Sequence, residues 1–208
     1  MKITNLTTHM KRVLGPTLLS ASLLLGLASC SKDTVEVDPY ERWAERNAAY
    51  LDSVIQVAAN PPAGETWRTH LSYKIKSENL GEDIAAKEDY VYVKVLQEGR
   101  TDGITPLSTD TVYTAYKGYL IDGTLFDSSY SGDFDPKFTE ATFATQASAV
   151  VTGWTTTLLY MKEGERVEVF IPYKLGYGTS DYSSIPGYSV MRFDMYLDKV
   201  VHPKGPEE

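Results

Sequence analysis

Alternation of apolar and polar residues predicts several β-strands in the second half of the chain. The predicted strands are residues 90–96, 111–120 and 166–171, and the alternation is clearest in the first and the third of these runs. Because the side chains of a strand point to opposite faces in turn, this period is typical of strands with one buried face. A weaker alternation over residues 67–76 predicts one additional strand. The pair Asp122-Gly123, which follows the second run, favours a tight turn.

A helical period replaces the alternation before the first strand. The predicted helix covers residues 39–58, with Asp38 as the N-cap and Pro39 at the first helical position. Its apolar residues share one face at Trp43, Tyr50, Leu51, Val54 and Ala58. Two interpretations of this stripe stay open: it packs on its own domain, or it serves dimerisation or client binding.

A second, shorter helix is predicted from Trp154 to the pair Glu163-Gly164. Trp154 stands at its base and is followed by an apolar patch, Leu158, Leu159 and Met161. Glu163-Gly164 ends the predicted helix because glycine tolerates a left-handed cap. A short helix with a tryptophan at its base, followed by a strand, predicts the floor and one wall of an apolar pocket.

The first thirty residues have the pattern of a secretory signal. Basic residues precede an apolar run at residues 18–27, which is too short for an ordinary membrane-spanning helix. The run ends in Leu27-Ala28-Ser29-Cys30, which resembles the cleavage motif of bacterial lipoproteins. That resemblance implies removal of residues 1–29, acylation of Cys30, and a lipid anchor in the cell envelope, with the outer membrane favoured. The alternative is a plain signal peptide with an incidental cysteine.

Charge and cysteine content exclude several classes of function. The net charge is −8 and no block of Lys and Arg occurs, whereas nucleic-acid binding needs clustered positive charge. Cys30 is the single cysteine, so an intrachain disulfide is impossible. His70 has no second His or Cys at ligand spacing, and the sequence therefore predicts no metal and no cofactor.

A series of short motifs follows in order along the second half of the chain. They are Tyr116-x-Gly118, Asp122-Gly123-x-x-Phe126-Asp127-Ser128-Ser129, Val150-Val151-x-Gly153-Trp154, Met161-x-x-Gly164, Ile171-Pro172, Leu175-Gly176-Tyr177-Gly178, Ile185-Pro186 and Phe193-Asp194-x-x-Leu197. In order and near-family spacing, across residues 90–201, they resemble the FKBP-type peptidyl-prolyl isomerases. The resemblance implies an α+β fold, a half-wrapped antiparallel sheet of five or six strands around one short helix.

The resemblance and the N-terminal pattern together predict four segments. Residues 1–29 form the signal peptide, and residues 30–38 form an acidic tether after the lipidated Cys30. Residues 39–89 form an N-terminal extension, which holds the first helix and the additional strand. Residues 90–203 form the isomerase domain.

The chemistry implied by the family needs an apolar cavity rather than a nucleophile or a metal. Rotation about an Xaa–Pro amide has a barrier of roughly 18–20 kcal/mol because of amide resonance. A water-poor cavity lowers this barrier if it favours the twisted amide, whose carbonyl is less polar. The resemblance implies an aromatic cage for the prolyl ring, with Trp154 as the floor and Tyr116, Phe126 and Phe193 as walls.

The resemblance also implies roles for four further residues. Val150 and Val151 line the rim, and the backbone N–H of Val151 binds a substrate carbonyl. Tyr177 donates its hydroxyl, and Asp127 lies near the reacting carbonyl. The alternative for Asp127 is a cap on the turn that follows it. Each aromatic residue taken alone is as readily explained as core.

One departure from the family affects the cavity wall. The family often has an aromatic residue two positions before Phe143, where this chain has Ala141, and Phe138 is the candidate replacement. The implied function is an isomerase that assists the folding of exported proteins, with proline-containing polypeptides as substrates and macrolides as candidate inhibitors. The alternative is a lipid-anchored chaperone or peptide-binding module with little or no turnover.

Overall fold

The computed structural model describes residues 38–75 and 85–203. The predicted signal peptide, Cys30 and most of the predicted tether lie outside the described residues. In the part of the chain that is described, no helix is both long and apolar enough to cross a membrane.

Seven strands form one antiparallel sheet in the described residues. They are β1 (Thr66–Leu71), β2 (Tyr90–Gln97), β3 (Thr111–Tyr119), β4 (Leu125–Ser128), β5 (Phe143–Gln146), β6 (Arg166–Ile171) and β7 (Met191–Val201). The strand order is β1-β2-β6-β7-β3-β4, and β5 pairs with β3 further along the edge that β4 also occupies. Strands β2 to β7 are the six expected from the resemblance, and β1 is the additional strand. The predicted α+β fold is confirmed.

One face of the sheet packs on the short helix α2 (Thr152–Leu158). The buried residues on this face alternate along their strands, as a half-buried strand requires. The core that they form with Trp154 and Leu158 of α2 includes Val91, Val93, Val167, Val169, Ile171, Met191, Phe193, Met195 and Leu197. Helix α2 is therefore held at the centre of the sheet.

The opposite face of the sheet packs on helix α1 (Trp43–Ala59). Leu51 and Val54 of α1 form a second cluster with Tyr92, Phe170 and Val190. Tyr92 and Phe170 alternate with the residues that contact α2, so α1 and α2 lie on opposite sides of the sheet. The apolar stripe of α1 thus packs on the chain's own domain, which is the first of the two alternatives.

Both helix boundaries differ from the predicted ones. Helix α1 begins at Trp43 rather than Pro39, because Asp38 caps a separate turn through Tyr40 N (2.8 Å) and Arg42 adopts a left-handed φ of 52°. Helix α2 ends at Leu158, well before Gly164. Gly164 instead has a φ of 81° in the turn that enters β6, where its N–H donates to Leu197 O at 2.7 Å.

Candidate active site

A cavity of about 490 Å³ lies between α2, the edge strands β3 to β5, and β7. Its lining consists of Tyr116, Phe126, Asp127, Phe143, Ala149, Val150, Val151, Trp154, Tyr177 and Phe193. The structure thus brings together the eight residues named from the sequence and adds two, Phe143 and Ala149.

Trp154 forms the floor of the cavity. Its side chain is only 4% exposed, and three rings meet it edge to face. The ring centroids lie 4.8 Å away for Tyr116, 5.2 Å for Phe193 and 5.9 Å for Phe143. Edge-to-face contacts are a preferred aromatic geometry, and together they fix the orientation of the indole.

The backbone beneath Trp154 is fixed by a close approach of α2 to β6. A Cβ on Gly153 would lie 2.3 Å from Ile171 Cγ2, so only glycine allows the helix to lie this near the strand. The Thr157 hydroxyl donates to Gly153 O at 2.8 Å and stabilises the same turn. The Gly153-Trp154 pair is therefore what places the indole at the cavity floor.

A second glycine allows the rings of one wall to pack. Phe126 of β4 and Phe193 of β7 meet edge to face at 5.5 Å, across Gly118 of β3. A Cβ on Gly118 would lie 2.7 Å from atoms of both rings. The motif Tyr116-x-Gly118 thus supplies one wall ring and the space for two others.

Tyr116 and Asp127 form the polar contact within the cavity. The Tyr116 hydroxyl donates to Asp127 Oδ2 at 2.7 Å, so the carboxylate is held by the neighbouring strand. Burial, followed by this hydrogen bond and by the charge of Asp127, raises the pKa of Tyr116 well above its ordinary value. The phenol is a neutral donor at physiological pH.

The raised pKa of Tyr116 predicts a change in stability at alkaline pH. The stabilisation is complete below the unfolded value of about 10 and is lost as pH rises toward the higher folded pKa. We expect the free energy of unfolding to fall less steeply between pH 9.5 and 11.5 in Tyr116→Phe than in the wild type, as measured by urea titration. Tyr160→Phe, an exposed position outside the cavity lining, is the control and keeps the wild-type slope. Superimposable profiles for Tyr116→Phe and the wild type would contradict the assignment.

Two further donors lie at the rim of the cavity. Val151 immediately precedes α2, so its N–H is among the first N–H groups of the helix, which have no intrahelical acceptor. The ring of Tyr177 stacks on Tyr182 at 4.2 Å. Burial, followed by the proximity of Tyr182 and Asp127, raises the pKa of Tyr177 as well, so this phenol is also protonated at neutral pH.

Phe143, which sequence reasoning did not assign to the site, is an aromatic residue of β5 that lines the cavity. It contacts both Trp154 and Tyr116, the latter at 5.3 Å. Phe138, the candidate replacement, is 82% exposed and does not line the cavity. Phe143 pairs with Thr114 across β3 and β5 and so lies diagonally opposite Tyr116.

The lining carries no group suited to nucleophilic or metal chemistry. Its side chains are aromatic or aliphatic apart from the Asp127 carboxylate and two tyrosine hydroxyls. In residues 38–75 and 85–203, no three His, Cys, Asp or Glu side chains are grouped so that they could hold a metal ion. The arrangement is suited to binding a compact apolar ring whose polar attachments reach donors at the rim.

An open antiparallel sheet packs around one short helix, and an aromatic cavity lies at its edge. Residues 103–198 match the family model of the FKBP-type peptidyl-prolyl cis-trans isomerases. Through these residues, which make up slightly less than half of the chain, the chain is similar to this family.

Three relatives indicate how far the similarity extends. The chain is 36% identical over 104 residues to the FKBP-type isomerase FkpA of Escherichia coli K12, covering 50% of this chain and 35% of that protein. It is 41% identical over 93 residues to the macrophage infectivity potentiator of Trypanosoma cruzi, covering 44% of each. It is 32% identical over 121 residues to the FKBP-type 22 kDa isomerase of E. coli, covering 58% of this chain and 54% of that protein. The chain thus spans about half or less of these relatives.

Solved structures agree with the fold. The crystal structure of FkpA from E. coli aligns with a TM-score of 0.54 at 27% identity, covering 77% of this chain and 62% of that one. A peptidyl-prolyl cis-trans isomerase from Pseudomonas syringae pv. tomato aligns with a TM-score of 0.55 at 20% identity, covering 80% and 98%. The second similarity bears on the fold alone.

Proposed function

We propose that the chain is a peptidyl-prolyl cis-trans isomerase that acts on proline-containing polypeptides. The observation that carries the proposal is the cavity itself, in which a buried indole lies beneath an open space walled by aromatic rings. A prolyl ring is compact and apolar, and its burial against such surfaces is favourable. The alignment of the FKBP family model with the residues that build most of this lining supports the same assignment.

The proposed catalytic effect is selective stabilisation of the twisted amide. In the planar amide the carbonyl is strongly polar and well solvated, and in the twisted state it is less polar. A cavity whose floor and walls are Trp154, Phe126 and Phe193 disfavours the first state more than the second. No covalent bond forms or breaks, and the prolyl nitrogen regains conjugation when the rotation is complete.

Polar groups at the rim orient the peptide in the proposed complex. The N–H of Val151 and the hydroxyl of Tyr177 each offer a donor to a substrate carbonyl. Asp127 is held by Tyr116 and carries the only formal charge in the lining. Its negative charge opposes the close approach of a carbonyl oxygen, which carries partial negative charge. Val150 contributes apolar surface next to the donor of Val151.

The signal pattern and Cys30 support a location in the bacterial cell envelope. A chain acylated at Cys30 would be anchored by lipid, and the serine that follows favours the outer membrane, on its periplasmic or surface face. Exported polypeptides are then the substrate class, and the isomerase assists their folding. Macrolides that fill an aromatic cavity of this kind are candidate inhibitors.

A protease-free relaxation assay tests the proposed activity. A proline peptide is enriched in its cis form, diluted into buffer, and followed by fluorescence as it returns to equilibrium. We expect substoichiometric protein to accelerate a relaxation that otherwise takes tens to hundreds of seconds. The alternative of a chaperone without turnover predicts a different pair of results. The peptide would relax at the uncatalysed rate, and the same protein would suppress the aggregation of an unfolded client.

A further inference from the structure

The loop that follows Tyr177 closes on itself before the chain enters β7. At its base Tyr188 N donates to Gly178 O at 3.0 Å. Near its tip Tyr182 and Ile185 exchange two backbone hydrogen bonds, each of 2.9 Å. Residues 178–190, which we call the rim loop, therefore move as a closed unit if they move at all.

One ring of the rim loop stacks on a residue of the cavity lining. Tyr182 stacks on Tyr177 with nearly parallel planes, 7° apart, and Tyr177 lines the cavity. Tyr182 is itself 56% exposed, so this stacking is its main aromatic contact. The position of the rim loop thus affects where the Tyr177 hydroxyl lies.

The rim loop contains backbone strain that its surroundings must support. Ser183 and Tyr188 have φ values of 53° and 64°, in the left-handed region that residues other than glycine rarely adopt. Gly187 approaches Thr179 so closely that a Cβ would lie 2.2 Å from its carbonyl oxygen. Such conformations persist only where neighbouring contacts over-determine them.

Helix α1 provides hydrogen bonds that support the rim loop. Trp43 Nε1 donates to Ser189 Oγ at 2.9 Å, and Ser189 Oγ donates to Pro186 O at 2.6 Å. Asn47 Oδ1 accepts from Val190 N at 2.7 Å, while Asn47 Nδ2 donates to Trp43 O at 2.8 Å. Both polar side chains are buried, with Asn47 1% and Ser189 3% exposed.

The packing of α1 on the sheet does not by itself require these hydrogen bonds. The helix already buries Leu51 and Val54 against the sheet, and an apolar residue at position 47 would extend that stripe. A buried amide whose oxygen and nitrogen are both bonded instead fixes one geometry, because each lost partner leaves an unpaired polar group. The partner of Asn47 is the end of the rim loop, 143 residues away in sequence.

We propose that Asn47 and Ser189 are positioning residues for the cavity, through which α1 holds the rim loop so that Tyr182 keeps Tyr177 at the rim. The inference rests on the proposed function for its kinetic consequence. The N-terminal helix is then part of the substrate-binding apparatus, although none of its residues touches the cavity.

Alanine variants of Asn47 and Ser189 in the full chain test this role. Asn47→Ala removes the acceptor of Val190 N–H, and Ser189→Ala removes the acceptor of the Trp43 Nε1–H. For a Leu-Pro peptide we expect both variants to raise KM roughly threefold to tenfold with kcat within about twofold. Amide hydrogen exchange of residues 178–190 becomes faster in the same two alanine variants.

Val112→Ala is the matched control for general destabilisation. Val112 is a fully buried core residue of β3 that does not line the cavity, so its truncation lowers stability without touching the rim loop. We expect an unchanged KM and unchanged exchange in residues 178–190. An equal rise in KM in this control, or wild-type KM and exchange in Asn47→Ala, would overturn the proposal. Hydrogen exchange reports whether α1 holds the rim loop even if the wild type has no isomerase activity. Such a lack of activity would refute the proposed function but not the role of Asn47 and Ser189 in holding the loop.

Discussion

Replacing Trp154 by alanine is expected to lower kcat/KM by roughly a hundredfold, equivalent to about 2.7 kcal/mol of transition-state stabilisation. The substitution removes the floor on which the prolyl ring would rest and leaves Tyr116, Phe143 and Phe193 without the ring they contact. The free energy of unfolding is also expected to fall by about 3–5 kcal/mol, since a large buried aromatic side chain is deleted. Peptide isomerisation and urea unfolding of the same samples measure the two effects.

Trp154→Phe separates the catalytic effect from loss of folding. Phenylalanine keeps an apolar ring at the floor, so the domain stays folded while the contact area shrinks, and we expect activity to fall by about tenfold. Trp67→Phe is the matched control, because Trp67 stacks on Phe170 in the cluster beneath α1. Equal losses of activity in the two variants would show that the cavity floor has no special role.

Gly118→Ala is expected to reduce activity by about tenfold, because it separates two rings of the cavity wall. The new methyl group would lie 2.7 Å from Phe126 Cζ and 2.7 Å from Phe193 Cε1, closer than carbon atoms can pack. Overpacking of this kind costs about 1–3 kcal/mol of stability and shifts the rings into new positions. Kinetics with a Leu-Pro peptide, alongside thermal unfolding, gives both quantities.

Gly64→Ala supplies a control of similar cost to stability. Gly64 has a φ of 85° in the loop before β1, and a Cβ there meets no other atom within 4 Å. Alanine in this conformation is strained by roughly 1–2 kcal/mol but displaces no ring of the cavity. We expect Gly64→Ala to keep wild-type kcat/KM at a temperature where both variants are folded. Equal losses of activity in the two variants would show that Gly118→Ala does not act through the packing of the wall rings.

Local patterns in the sequence predicted individual strands and helices, and the resemblance to a family predicted how they assemble and which residues line the cavity. Strand β6 could be predicted because Val167, Val169 and Ile171 alternate with their neighbours. All three residues are buried in the core of the domain. The cavity residues could be predicted through the resemblance to a family, which rests on ordered motifs that include Gly118 and Gly153. Both glycines meet ring or side-chain atoms at less than 3 Å once a Cβ is added.

Features that depend on distant contacts did not follow from the sequence. Asn47 has no local signal for a role, because its partner Val190 lies 143 residues away. Phe143 was not assigned because the loop before β5 obscured its register with Tyr116. The start of α1 was misplaced because an Asp-Pro pair favours a helix cap, whereas here Arg42 breaks the helical conformation with a left-handed φ.

Exchange spectroscopy by NMR tests the central claim most directly, since it detects binding in the cavity and turnover in one sample. A labelled Leu-Pro peptide is mixed with substoichiometric protein, and cis–trans cross-peaks are recorded together with the indole N–H resonance of Trp154. We predict cross-peaks on a sub-second mixing time, far shorter than the tens of seconds of uncatalysed isomerisation, and a shift of the Trp154 resonance. A shifted Trp154 resonance without cross-peaks would contradict the account, because the peptide would then occupy the cavity without being isomerised.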